Sequence, residues 1–297
     1  MGGTAHADVE TPGSPKRPKV VYVMGAGRSG STILGVALGN CEGVFFAGEL
    51  DKWFAREGTP RRDDPRLRAF WREVLEAVGD TQHVFAGRTG WLERSSALLD
   101  PRKWRTRRRL RARYRSVSQQ LYLAVARASQ ATHVVDTSHY PLRARELQGL
   151  NGIDLHLLYL VRDPQSVVAS LGRRDVAERR FDVPTSNAYL WLTNFLCLIV
   201  FLRHPRERRL FVRHEDFVAD PRAVLARILA VAGAASEVPD LGRLRTGVPF
   251  HGNRLVDSEV VALNARPATA ASRSLLTALL QAPWRAVFCR LRPATGS

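Results

Sequence analysis

The feature that most constrains this chain is the run Val20–Met24, followed at once by Gly25-Ala26-Gly27-Arg28-Ser29-Gly30-Ser31-Thr32. A short, continuously apolar run rich in β-branched residues predicts a strand buried on both faces, as in parallel sheets. The glycines permit a tight turn whose N–H groups converge on one anion. Ser31–Gly39 reads as a helix, so the turn also meets a helix N-terminus with unpaired N–H groups and a positive dipole end. Arg28 adds a full charge, Ser29 and Gly30 complete the turn, and Ser31 and Thr32 supply hydroxyl donors.

The rest of the chain repeats this alternation. Strands are expected at Val44–Phe46, His133–Val135, Leu155–Val161 and Leu210–Val212. Helical patterns are expected at Arg66–Val78, Ser116–Ala128, Pro141–Leu150, Pro164–Gly172, Ser186–Leu202, Pro221–Val231 and Ser272–Leu280. The implied fold class is α/β, a central parallel sheet flanked by helices, with ligands at the carboxyl ends of the strands. Residues 1–18 are rich in Gly, Pro and polar groups and read as a disordered tail rather than a signal peptide. Residues 19–297 read as one domain, with a basic helical insertion around 60–115.

The charge balance narrows the partners. The chain of 297 residues carries a formal charge of +17, which favours anionic ligands without naming one. Arg102–Arg115 holds nine basic residues and no acidic one. It reads as a basic helix or a solvated insertion, the place where a peripheral contact with an acidic surface would form. Its arginines, with Trp104 and Tyr114 for stacking, keep a nucleic-acid-binding reading open, although no reading motif accompanies them. Cys41, Cys197 and Cys289 fit neither a disulfide framework nor a zinc site, and a reducing, cytoplasmic setting is expected. The longest apolar run, Leu190–Leu202, falls short of the roughly 20 residues of a spanning helix and reads as core or as the wall of an apolar acceptor pocket.

The Gly25–Thr32 loop is close to a Walker A sequence, but Ser31 stands where the lysine would be. A P-loop kinase or NTPase is disfavoured by that difference, although Val134-Val135-Asp136 offers a Walker B-type carboxylate. A second anion receptor is suggested by Leu160-Val161-Arg162-Asp163-Pro164: an arginine at a strand end, a capping aspartate and a proline suited to the first helical turn. Ser170 lies eight residues beyond Arg162, two turns into that helix. A forked guanidinium with a hydroxyl makes a phosphate clamp. A capped helix beside a surface arginine is the competing reading.

These motifs together resemble the sulfotransferases that use 3'-phosphoadenylyl sulfate (PAPS). RSGST resembles their 5'-phosphosulfate loop, with Arg28 at the basic position and Ser31 and Thr32 as the hydroxyl pair. Arg162 and Ser170 match the family's 3'-phosphate pair. Val212–Pro221 (VRHEDFVADP) resembles the RYEDLxxDP segment, with His214 in place of a tyrosine near the adenine. Phe250–Leu255 (FHGNRL) resembles the late segment that closes over the 3'-phosphate, making Asn253 and Arg254 candidates. The likeness implies transfer of a sulfuryl group from PAPS to an acceptor hydroxyl with release of PAP, and needs no metal. Two base candidates follow from it. Glu49, in Ala47-Gly48-Glu49-Leu50, sits where the tyrosylprotein-type and bacterial branch carries its glutamate. His139, in DTSHYP, matches the histidine of the small-molecule branch, a place where the bacterial branch often has lysine. Glu49 is the favoured base; Asp136 is a candidate to orient His139 or another basic group. Arg173, Arg174, Arg179 and Arg180 suggest a lid suited to an anionic acceptor. The acceptor itself is not legible.

Overall fold

The computed structural model describes residues 17–79, 85, 87–173, 181–263 and 274–291. The expected tail therefore lies almost wholly outside the described residues, as do Arg174, Arg179 and Arg180.

The chain alternates as expected. Strand β1 (Lys19–Gly25) leads through the glycine loop into α1 (Ser31–Gly39) and β2 (Val44–Gly48). Helices α2 (Asp51–Ala55), α3 (Pro65–Val78) and α4 (Gly90–Glu93), a 3-10 turn (Ser95–Leu99) and the long α5 (Pro101–Ser129) come next. Then follow β3 (His133–His139), α6 (Pro141–Leu147), β4 (Asp154–Val161), α7 (Pro164–Leu171) and α8 (Val183–Leu202). The chain continues with β5 (Arg209–Arg213), α9 (His214–Ala219), α10 (Pro221–Ala232), and a small hairpin of β6 (Leu244–Arg245) and β7 (Val260–Val261). Helices α11 (Leu275–Leu280) and α12 (Ala282–Leu291) complete it.

The five long strands form a parallel sheet in the order β2-β3-β1-β4-β5. From β1 the chain moves toward one edge, and from β4 toward the other. Direction therefore reverses between β1 and β4, which places a ligand crevice beyond their carboxyl ends. The glycine loop and Arg162 both start there.

Alternate residues of each strand feed two cores. Val20, Tyr22, Met24, Leu155, Leu157 and Tyr159 pack under α3, α5, α6, α8 and α12. Val21, Val23, Leu158 and Leu160 pack under α1, α9 and α10. Both faces are covered, which is why the strands read as unbroken apolar runs.

Two expectations need correction. The basic stretch Arg102–Arg115 is no separate insertion: it is continuous with Ser116–Ala128 in one helix of 29 residues, started by Pro101 and capped by Asp100, whose side chain accepts from Arg102 N–H. Its Tyr114 is buried and donates to Glu93 at 2.5 Å, so it cannot stack on a base. The apolar run around Leu190–Leu202 begins earlier, at Val183, because Asp182 caps the helix through Thr185 N–H. At 20 residues, α8 is long and apolar enough to cross a membrane by length and composition, yet Cys197, Val200 and Phe201 belong to the core.

Beneath the edge carrying β2 and β3 lies a buried charged hub. Asp136 accepts from Tyr122 Oη at 2.5 Å, from Ser138 N–H at 2.8 Å and from Arg143 Nη2 at 3.2 Å. Arg143 also reaches Glu93 at 3.3 Å and Tyr114 Oη at 2.5 Å. All six residues are buried. Removing one partner of such a set leaves uncompensated charge in a low-dielectric interior. Arg143→Met is therefore expected to lower unfolding free energy by about 3–5 kcal/mol. Urea denaturation checks this; a loss below about 1 kcal/mol would mean the hub is dispensable.

Candidate active site

The glycine loop is shaped by steric necessity. Gly25 has φ +157°, and a Cβ there would collide with the Leu160 carbonyl on β4. Gly30 has φ +88°, and a Cβ there would strike the His214 ring. Arg28 also takes a left-handed backbone, with φ +71°, an unusual state for a residue with a side chain. Helix α1 then starts with no side-chain cap and no acidic residue in its first turn. Its N-terminal N–H groups are thus left for another acceptor. Ser29 is buried with no hydrogen-bond partner for its Oγ. An orphaned buried hydroxyl beside an uncapped helix start is what an anion receptor requires. On the loop's outer side, Gly27 N–H donates to Tyr189 Oη of α8 at 2.8 Å. That contact was not anticipated, since nothing in the local sequence links Tyr189 to the glycine loop.

Arg162 turns onto this loop. Its Nη1 donates to the Arg28 carbonyl at 3.1 Å. Asp163 caps α7 by accepting from Ser166 N–H at 3.0 Å, and Pro164 opens the helix as expected. Ser170 lies half-buried in the second turn of α7. A third strand end joins them: Glu215 Oε1 accepts from Asp163 N–H at 2.7 Å, and His214 packs against Gly30. His214 is therefore under the phosphate loop, its buried Nδ1 unpartnered. Burial, then the positive charge of Arg162, pushes its pKa down to about 4.

The second half of the site gathers at the ends of β2 and β3. Glu49 follows β2 and His139 ends β3, with His139 in the left-handed region at φ +57°. The pairing of the late Phe250–Leu255 segment with the end of β2 was the unforeseen part. Phe250 N–H donates to Ala47 O at 2.9 Å, and Glu49 N–H donates to His251 O at 3.0 Å. Gly48 must be glycine for this, since a Cβ would hit the His251 carbonyl. The pairing brings His251 Nδ1 to 3.1 Å from Glu49 Oε2. Burial opposes ionisation of Glu49, but the His251 hydrogen bond and the charges of His139, His251 and Lys52 prevail and hold its carboxyl below the usual range. Both base candidates thus belong to one cluster, with His251 and Lys52 as members the sequence reading passed over. The only sequence hint of His251 was its place in the quoted FHGNRL segment.

Other expected residues have definite positions. Asn253 is exposed, and its side chain caps a 3-10 turn by accepting from Leu255 N–H at 2.9 Å. Arg254 follows in that turn and is exposed. Gly252 lies beside Thr32 of α1, so this segment closes on the loop. Asp136 orients Arg143 and Ser138 rather than His139. A cavity of about 760 Å³ opens beside α7, lined by Gln165, Ala169, Phe181, Asp182 and Ser274, and does not include Glu49 or His139. Among the described residues, no group of three or more His, Cys, Asp or Glu could hold a metal ion.

With this geometry established, similarity to known proteins decides the family. Residues 18–237 match the sequence profile described as "Sulfotransferase family". The chain belongs to the sulfotransferase family. Among solved structures, a sulfotransferase domain from the curacin biosynthetic pathway has 16% identity and a TM-score of 0.54, covering 91% of this chain and 99% of its own. A sulfotransferase domain from the Synechococcus PCC 7002 olefin synthase has 19% identity and a TM-score of 0.48, covering 91% and 96%. A sulfotransferase from Alicyclobacillus acidocaldarius has 16% identity and a TM-score of 0.42, covering 92% of each chain. No curated protein matches the sequence. At such identities the first structure supports the fold alone, and it agrees with the parallel sheet seen in this sulfotransferase.

The depressed His214 has a consequence for stability. Unfolded, its ring takes a proton near 6.5; folded, it resists until about 4. The folded pKa lies below the unfolded one, so this contribution is intact above about pH 6.5 and is lost as pH falls toward 4. His214→Gln is expected to flatten the decline of melting temperature across that window. An unchanged acid slope would show that the ring is not held neutral.

Proposed function

We propose that this sulfotransferase moves a sulfuryl group from PAPS to an acceptor hydroxyl and releases PAP. The observation that carries the reading is the hydrogen bond from Arg162 to the Arg28 carbonyl. It sets two anion receptors side by side at the sheet's reversal point, which suits a nucleotide phosphorylated at both ribose ends. The α1 N-terminus, Gly30, Ser31, Thr32 and the orphaned Ser29 hydroxyl receive the 5' end, and Arg28 neutralises charge there. Arg162 and Ser170 receive the 3'-phosphate, with Asn253 and Arg254 closing from the late segment. His214, neutral and packed under the loop, fills space near the nucleotide without adding charge.

In the reaction, the acceptor oxygen attacks sulfur, the bond from sulfur to the phosphate oxygen breaks, and the acceptor proton passes to a base. Positioning and charge neutralisation dominate such transfers. Glu49 is the base we favour. Its carboxyl is ionised at neutral pH, and it sits at the strand-end edge that the two receptors share. His139 is the alternative, and its strained backbone is consistent with a functional constraint. The acceptor is a small-molecule or other hydroxyl compound of undefined class. All three cysteines are free, Cys41 and Cys197 being buried, which suits a reducing cytoplasmic setting.

The kinase reading loses its second support, because Asp136 is wholly engaged by Arg143, Tyr122 and Ser138. PAP is expected to raise the melting temperature, whereas Mg-ATP is not; the opposite pattern would restore the kinase. Arg162→Ala should weaken PAP binding by about 1.5–3 kcal/mol, the scale of a lost charged hydrogen bond. Unchanged affinity by calorimetry would contradict the assignment. Glu49→Gln should keep PAP affinity and lose turnover. Full activity in that variant, together with an inactive His139→Ala, would move the base to the histidine.

A further inference from the structure

The sheet face covered by α3, α5, α6, α8 and α12 has an outer surface unlike the rest of the molecule. Helix α5 begins it. Its core-facing residues include Tyr114 and Val117, and on the opposite side Arg105, Arg108, Arg109 and Arg113 are exposed. These four side chains have no ion-pair or hydrogen-bond partner among the described residues. Neighbouring basic residues differ: Arg107 donates to the Trp91 carbonyl, while Arg111 and Arg115 pair with Glu146. The four at positions 105, 108, 109 and 113 follow helical spacing and form one stripe. Four like charges at short range repel one another and lack a counter-charge.

The same helical layer carries an exposed apolar face. Helix α8 has no charged residue along its 20 positions. Its inner side feeds the core, while Trp191 and Phe195 face out, Phe195 at 52% exposure. Helix α11 packs beside it, held by Trp191 Nε1 donating to the Leu280 carbonyl at 2.8 Å. Leu275 and Leu279 of α11 are 82% and 75% exposed. The 3-10 turn at Ser95–Leu99 packs on α8 and leads directly into α5. It presents Leu99, which is 74% exposed, and Trp104 stands just beyond it on α5. The 3-10 turn joins the two features: it packs on α8 and continues into α5, so Leu99 and Trp104 connect the apolar face to the start of the arginine stripe.

We propose that this side is a docking surface for an anionic lipid bilayer. Each half supplies one of two signals that together give stable attachment: apolar side chains for the acyl boundary, and unpaired arginines for acidic headgroups. Charge complementarity selects the partner. Four unpaired arginines in one stripe match a continuous anionic surface such as a layer of acidic headgroups. A nucleic acid would answer the arginines but not the exposed leucines. In a cytoplasmic setting the partner is the acidic inner leaflet.

The test uses the full chain and vesicle co-sedimentation. Vesicles of phosphatidylcholine alone and of phosphatidylcholine mixed with phosphatidylserine are compared, at low and physiological salt. The protein is expected to sediment with the mixed vesicles and not with the neutral ones. The triple variant Arg105→Gln, Arg109→Gln, Arg113→Gln should bind about fivefold more weakly per arginine, roughly a hundredfold in all. Leu275→Ser with Leu279→Ser should also weaken binding while leaving its salt dependence intact. All five positions are exposed, and an unchanged melting temperature verifies folding. Several results overturn the proposal: no sedimentation with acidic vesicles, equal sedimentation with neutral ones, or wild-type vesicle binding by both variants. Random duplex DNA that binds where vesicles do not would assign the arginines to nucleic acid. A dimer lost in the leucine variant, without vesicle binding, would make the face a contact between copies. PAP affinity is read alongside, and its loss in wild type would bear on the proposed reaction and not on this surface.

Discussion

The site depends on how closely β1 and β4 approach at their carboxyl ends. Paired parallel strands lie about 4.8 Å apart. Gly25 pairs with Leu160 in register, and the absence of a side chain at Gly25 lets the two backbones meet without obstruction. Beyond this pair the chains separate: one enters the glycine loop, the other passes Val161 and reaches Arg162. The guanidinium therefore returns across a short gap to the Arg28 carbonyl. That bond uses one donor of a group that has five. The third strand end adds His214 and Glu215, which brace the loop and the α7 cap from beneath. Three strand ends thus shape the proposed anion site.

On the other side of β1 the same logic is carried out with buried charge. Asp136 binds Ser138 N–H, and Ser138 Oγ accepts from Asp51 N–H at 3.0 Å. Asp136 also accepts from Leu50 N–H at 3.4 Å. The turn after β2, which carries Glu49, is therefore fixed to the end of β3, which carries His139. Burying Asp136 costs several kcal/mol of lost hydration unless it is well paired. Arg143, Tyr122 and Ser138 provide that pairing. Apolar residues of similar volume would hold the core together, but they could not bind the N–H groups of two turns at once. The charged hub gives direction to the site rather than bulk stability.

What the sequence revealed follows from these physics. All five strands of the main sheet were legible because each holds a short apolar run buried on both faces, although β3 continues past Val135 through Asp136, Thr137 and Ser138 and β4 carries a buried His156. The helix starts at Pro141, Pro164 and Pro221 were legible because proline is a local signal, reinforced at the last two by Asp163 and Asp220 as caps, while α3 starts at Pro65, one residue before the expected Arg66. Helix α5 was divided in two because charge along Arg102–Arg115 concealed an apolar stripe that continues through Tyr114 and Val117. The hub stayed hidden, since Glu93, Tyr114, Tyr122, Asp136 and Arg143 come from four elements and share no spacing. His251 was missed for a related reason: nothing local indicates that its segment pairs with the end of β2. The two strand–turn–helix units proposed as anion receptors were visible, because each is a strand end, a turn and a helix start in succession. The surface of α8 and α11 was not, for exposure is a property of packing.

The clustering of Glu49, His139 and His251 turns the question of the base into one of energetics. A carboxylate held below its ordinary range is ionised and ready at neutral pH, but it is a weaker base for that reason. Catalysis favours a base whose affinity for the proton rises as the proton arrives. The His251 hydrogen bond and the nearby positive charges favour the ionised form of Glu49. Burial works in the opposite direction, and an acceptor that fills the space and excludes water would strengthen it. Binding would then raise the proton affinity of Glu49 at the moment it is needed, while His251 keeps the carboxylate aligned before the acceptor arrives. His139, held in a left-handed backbone at the end of β3, cannot shift without disturbing Ser138 and the hub beneath it. In the proposed reaction, that rigidity would suit a residue that orients the acceptor oxygen, with the more responsive carboxylate as the favoured base.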